Sequence, residues 1–260
     1  MKRKDWLPVL AFTLLSIAIL GPLLAPGYIL ALDMYFGPST GYLDRLYGLD
    51  TSGPASIPFW LFIGLFGKVI PVWILQKIIL FFTFFLCGLG AYRLLPGKSV
   101  GTYFAGVLYT VNPFTYARLM AGQWGILLAY AITPFAVKAF IDLMTARQRK
   151  NIVVVPLLLT LAGMLQPHAL FLILLTFLIL FIVKVVVKRR ERENIIQTSK
   201  YVGISAGLFC ALNLYWIIPL WTAKDNILGQ LGQADLLLFA PKATSRILFD
   251  VASMQDFWRE

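Results

Sequence analysis

Charge is what this sequence has least of: Asp, Glu, Lys and Arg make up 13% of its 260 residues, against 59% hydrophobic ones. A water-soluble domain of that size cannot cover its surface with so few charges, whereas a lipid-facing surface needs none. Histidine occurs once, as His168, and cysteine twice. Cys87 and Cys210 each fall inside an apolar run, where cysteine packs as a small hydrophobe, so no disulfide is expected. Short segments of alternating hydrophobicity are missing, which excludes an outer-membrane β-barrel. No repeat or low-complexity tract stands out. There is also no basic stripe interleaved with aromatics, so the formal net charge of +11 does not mark a nucleic-acid surface.

What the chain has instead is long apolar runs and a mean hydropathy of +0.79. Backbone groups in hydrocarbon must pair internally, so such runs are helices. The predicted fold is all-α, a polytopic transmembrane bundle of about seven spans at residues 6–25, 71–95, 100–112, 126–145, 152–167, 169–187 and 201–221. The first run is an uncleaved span and not a signal peptide. Leu23 would sit at the −3 position of a cut after Ala25, and Pro26 would follow it. Residues 58–70 (PFWLFIGLFGKVI) are too short to span and rich in aromatics, which predicts an interfacial helix on the outer face. Residues 112–124 break the apolar pattern at Pro113 and read as a loop. Residues 1–221 thus form the helical domain. Residues 222–260 form an extracytoplasmic tail, read as leading to further spans in a longer protein.

Basic residues set the orientation. The clusters at 147–150 and 188–192 are both strongly positive, so both belong in the cytoplasm and the stretch between them crosses an even number of times. Gln166, Pro167 and His168 form the natural hairpin tip. In this arrangement 14 of the 23 Lys and Arg lie on the cytoplasmic side with the N-terminus, and eight of the 12 acidic residues lie outside. The expected location is a multi-pass cell membrane protein. Lys138 and Asp142, four apart on one helical face, predict an ion pair, and Lys77 is expected to snorkel or to face a lipid phosphate.

That orientation brings four polar elements to the outer face: the first loop with Asp33, Asp44 and Asp50; the 112–124 loop with Arg118; the hairpin tip with His168; and the tail. A guanidinium fork grips phosphate bidentately, an imidazole bonds or shuttles a proton, and a carboxylate accepts one from a hydroxyl. Asn112, Tyr116 and Gln123 surround Arg118 in sequence and complete a candidate phosphate-binding set. Each residue also has a plainer reading: Asp33 as a loop acid or helix cap, Arg118 as a snorkelling interfacial arginine, His168 as a turn residue.

Two stretches, GYILALDMYFGP (27–38) and LYTVNPFTYARLMAGQWGILLAYAITPF (108–135), resemble the N-terminal part of GT-C-type membrane glycosyltransferases, in particular large, mostly uncharacterised bacterial and archaeal relatives of the arabinofuranosyltransferase-like group. Such proteins are usually longer, so the resemblance implies a fragment or a shortened relative as the expectation for this chain. The resemblance implies a sugar moved from a polyprenyl-phosphate donor to a glycan or lipid acceptor of the cell envelope. Asp33 is then the catalytic base or a metal ligand, and Arg118, His168, Asn112, Tyr116 and Gln123 are substrate-binding. No cofactor is fixed. A divalent metal fits the family, but the paired acids many members carry are replaced here by Leu32 and Met34 around Asp33, so a second carboxylate would come from Asp44 or Asp50. The rival class is a non-enzymatic exporter subunit or scaffold, for which Asp33 is not required.

Overall fold

A computed structural model of the chain describes residues 6–34, 54–97, 99–146, 148–188, 190–222 and Gly232. Asp44, Asp50, and all of the tail after Thr222 except Gly232 lie outside the described residues. Within them the regular elements are all helical: α1 (Leu7–Leu20), α2 (Ile57–Phe66), α3 (Val72–Leu94), α4 (Val100–Thr110), α5 (Pro113–Met120), α6 (Trp124–Thr145), α7 (Asn151–Leu165), α8 (Pro167–Val187) and α9 (Arg192–Thr222), with 3-10 turns at Gly21–Leu24 and Pro54–Ser56.

Five of these helices, α1 with its 3-10 turn, α3, α6, α8 and α9, are long and apolar enough to cross a membrane. They also leave a surface that water would not tolerate. Along α8 alone, Phe171, Leu172, Leu175, Leu178, Ile179 and Ile182 are exposed. That combination of length, composition and surface is that of a helical membrane protein. The two other expected spans are shorter. α4 has 11 residues and α7 has 15, about 16 and 22 Å at 1.5 Å per residue, against a hydrocarbon core of about 30 Å.

The helices alternate in direction. Phe12 meets Tyr92 (ring centroids 6.1 Å) while Lys77 reaches Leu23, so α1 and α3 are antiparallel. Tyr92 and Tyr103, 4.9 Å apart, pair α3 with α4, and Tyr109 and Tyr130, stacked at 4.0 Å, carry the packing on to α6. Phe140 stacks on Phe177 at 4.0 Å across α6 and α8. Asn213 of α9 donates to Thr160 Oγ1 of α7 at 2.7 Å, and Lys184 donates to Thr198 Oγ1 at 3.0 Å. One pole therefore gathers Arg93, Arg149, Lys150, Lys188 and Arg192. The other gathers the 21–34 segment, the Pro54–Ser56 turn, α5, the start of α6 and the break at Gln166.

That break is sharp. Gln166 is extended (φ −160°, ψ 105°), Pro167 opens α8, and Leu170 folds back against Gly163. The 152–187 stretch is a hairpin of two helices that breaks at the expected Gln166–Pro167. Lys138 and Asp142 form the expected ion pair at 2.7 Å. Cys87 is buried and Cys210 exposed, both as free thiols. The 112–124 segment departs from its reading as a loop. Pro113 sits at the first helical position, where its fixed φ suits a helix, and Asn112 and Thr115 form a reciprocal capping box, so two turns of α5 form.

Candidate functional site

Asp33 lies in an irregular segment after α1, and α3 holds that segment in place. Gln76 is fully buried. It accepts from the Ile29 N–H at 2.9 Å and donates to the Ile29 carbonyl at 2.8 Å, pairing with the backbone as a neighbouring strand would. Lys77, expected to snorkel or to face a phosphate, is buried instead. Its ammonium donates to the carbonyls of Leu23 and Ala25 and lies 5.7 Å from the Trp73 ring, satisfying the orphan end of the α1 segment. On the other side the Asp33 N–H donates to the Ala121 carbonyl at 2.9 Å. Gly122 makes that approach available. Its φ is +74°, and a Cβ there would fall 2.3 Å from Met34 N and 2.7 Å from Ala31 O.

Asp33 is thereby set beside the α5–α6 junction, where a row of polar contacts begins. Gln123 Nε2 donates to Asp33 Oδ2 at 2.9 Å, and Arg118 Nη1 donates to Gln123 Oε1 at 2.5 Å. The guanidinium stands 5.5 Å from the Phe114 ring, its partner four residues back on α5. Beside this row, Gln166 Nε2 meets His168 Nδ1 at 3.1 Å. With an amide N–H as donor, Nδ1 is the acceptor, and the proton of the neutral ring sits on Nε2.

Two cavities flank the row. The first, of about 410 Å³, is lined by Asp33 and Gln123, by Phe59, Trp60 and Trp124, and by Gln166. The second, of about 440 Å³, has Arg118, His168 and Gln166 at its polar end and Leu172, Ile173 and Thr176 of α8 along its apolar length. Gln166 and Ile126 line both, so the cavities are neighbours. The carboxylate belongs to the first, and the guanidinium and imidazole belong to the second.

Of the residues expected to form a site, Asp33, Arg118, Gln123 and His168 converge. Asn112 caps α5 with its side chain and donates to the Tyr109 carbonyl at 2.9 Å. Tyr116 is 68% exposed and lines neither cavity. The structure adds Gln166, Trp60 and the Tyr109–Tyr130 pair, whose hydroxyls donate to each other's backbone carbonyls at 2.9 and 3.1 Å and which together line the second cavity. The QPH interruption pointed to Gln166 in the sequence, but nothing there paired the two tyrosines. Among the described residues no three His, Cys, Asp or Glu side chains converge as a metal cage would require.

Fold and site together define a helical membrane protein whose polar groups converge at one pole, between a carboxylate-bearing cavity and an arginine-bearing one. Residues 69–245 match the Family of unknown function (DUF6541), more than half of the chain, and the protein belongs to that family. The match contains Arg118, Gln123, Gln166 and His168, and it begins after Asp33 and Trp60. No curated protein and no solved structure matches the chain.

Proposed function

We propose that this chain is a GT-C-like membrane glycosyltransferase, or the N-terminal module of one, that transfers a sugar from a polyprenyl-phosphate donor to an acceptor of the cell envelope. In this reading the seven helices α1, α3, α4, α6, α7, α8 and α9 are spans, the short α4 and α7 lying where the bilayer thins or the helix starts in the interface. The N-terminus is cytoplasmic, α2 lies along the outer interface, and the site faces outward. The observation that carries the proposal is the Asp33–Gln123–Arg118 row, which links a proton acceptor in one cavity to a phosphate-binding group in the next.

The second cavity suits the donor. Its apolar length takes an isoprenoid chain and its polar end takes the phosphate, with Arg118 as the charge partner and His168 Nε2–H as a further donor. An acceptor hydroxyl in the first cavity gives its proton to the Asp33 carboxylate as its oxygen bonds to the anomeric carbon. The bond from that carbon to the phosphate oxygen breaks, and its electron pair leaves on the polyprenyl phosphate, where Arg118 stabilises the charge. Gln123 holds the two charged side chains in register, so that neither swings into its partner's cavity.

Asp33→Asn keeps shape and removes the proton acceptor, and in the full chain, in membranes at matched expression, transfer should fall by about 10²–10⁴. Arg118→Ala should act mainly on the KM for the donor. Undiminished transfer in Asp33→Asn removes the catalytic role. Absence of transfer by the parent protein from several polyprenyl-linked sugars moves the assignment to the exporter or scaffold class.

A further inference from the structure

The first cavity has a wall that neither the proton acceptor nor the phosphate requires. Phe59, Trp60 and Trp124 come together there from α2 and α6. Trp60 and Trp124 stand at 87° with centroids 6.0 Å apart, and Phe59 lies 5.8 Å from Trp60 and 5.3 Å from Trp124. An interfacial aromatic belt points its rings at head groups and is spread around the bundle. These three instead surround a cavity that also holds a carboxylate and the amides of Gln123 and Gln166. The lining of this cavity thus combines three aromatic side chains with hydrogen-bonding groups.

We infer that this cavity binds the ring of a saccharide, and that the acceptor of the proposed transfer is therefore a glycan and not a simple lipid. A sugar ring has the matching mixed character. Its C–H bonds carry slight positive charge and lie against the negative face of an aromatic ring, while its hydroxyls radiate toward donors and acceptors. A carboxylate takes hydrogen bonds from hydroxyls, and primary amides serve them in either sense. The cavity's volume of about 410 Å³ lies in the range of roughly 300–1,000 Å³ usual for small-ligand sites. A lipid acceptor would need an apolar trough, and the neighbouring cavity along α8 is the one with that lining. Assignment of the ring to the acceptor rests on the transferase reading, because Asp33 lines this cavity whereas Arg118 and His168 line the other. The saccharide subsite itself stands on the cavity alone.

The test is saturation-transfer NMR on the protein in lipid nanodiscs, free of sugar-based detergent, with an equimolar mixture of the methyl glycosides of glucose, galactose, mannose and arabinofuranose. Saturation should reach the ring C–H protons of at least one glycoside. The signal should drop several-fold in Trp60→Leu, which keeps an apolar side chain on α2 and removes the π-face, and persist in Trp60→Phe. Quenching of tryptophan fluorescence in the unmodified protein by the same glycoside gives a readout independent of any variant's folding. No saturation of any glycoside, or an unchanged signal in Trp60→Leu, overturns the inference. Because the readout needs no turnover, glycoside binding without transfer would sink the transferase reading and leave the subsite. Transfer without glycoside binding would sink the subsite alone.

Discussion

Asp33 has no helix of its own to orient it, so its position depends on residues distant in sequence that hold its backbone. Gln76→Leu removes both side-chain bonds to Ile29 and leaves a partly buried N–H and C=O without these partners, at about 1 kcal/mol each. Thermal unfolding in nanodiscs should show a lowered midpoint, and transfer should fall with it. A midpoint equal to the parent's would mean that the 23–34 segment is held in some other way. Gly122→Ala meets backbone atoms that cannot rotate aside and also strains a left-handed φ, so it should cost the Asp33–Gln123 contact even where the bundle still melts cooperatively. These two residues were invisible in the sequence for a physical reason. A glutamine in an apolar span and a glycine before a tryptophan acquire meaning only when a segment 47 or some 88 positions away is laid against them. Asp33, Arg118 and His168 were legible because each interrupts an apolar chain at the end of a run. Tyr116 shows the limit of that signal. It lies about 200° around α5 from both Phe114 and Arg118, so nearness in sequence puts it on the opposite face.

Helix by helix, the apolar runs located every long element among the described residues, because lipid demands the same residue class for the whole crossing. The hairpin was legible as well, since two basic flanks force an even number of crossings and QPH offers the one polar break between them. Packing distances were not legible. Phe12 of α1 fills a notch made by Gly88 of α3 and Gly106 of α4. A Cβ at either glycine would come within 2.3 Å of its ring, closer than side chains ever sit. Small residues at such contacts let helices approach where no hydrophobic drive separates protein from lipid. Gly88→Val should overpack this notch and destabilise the bundle by about 1–3 kcal/mol. Phe12→Leu added to it should restore much of the loss, whereas Phe12→Leu alone should destabilise by opening a void. A double variant no more stable than Gly88→Val alone would show that the notch is not where the strain falls.

Taken whole, the bundle places a cluster of basic residues at one pole and the polar row with its cavities at the other. Arg93, Arg149, Lys150, Lys188 and Arg192 collect at one pole, and the Asp33–Gln123–Arg118 row with its two cavities sits at the other. On the proposed transferase reading, this arrangement fits an orientation with the basic pole in the cytoplasm and the polar row outside. Cysteines placed at the two poles test it. In a Cys87→Ala, Cys210→Ala background, Tyr116→Cys presents a thiol from an exposed position on α5, outside both cavities. Lys150→Cys presents one at the exposed start of α7. In intact cells an impermeant maleimide should label Tyr116→Cys and spare Lys150→Cys, and permeabilisation should add the second label. The opposite pattern would put Asp33 and Arg118 in the cytoplasm. A donor displayed on the outer leaflet could not reach them there, and the transferase reading would fall with the orientation while the fold stayed as it is.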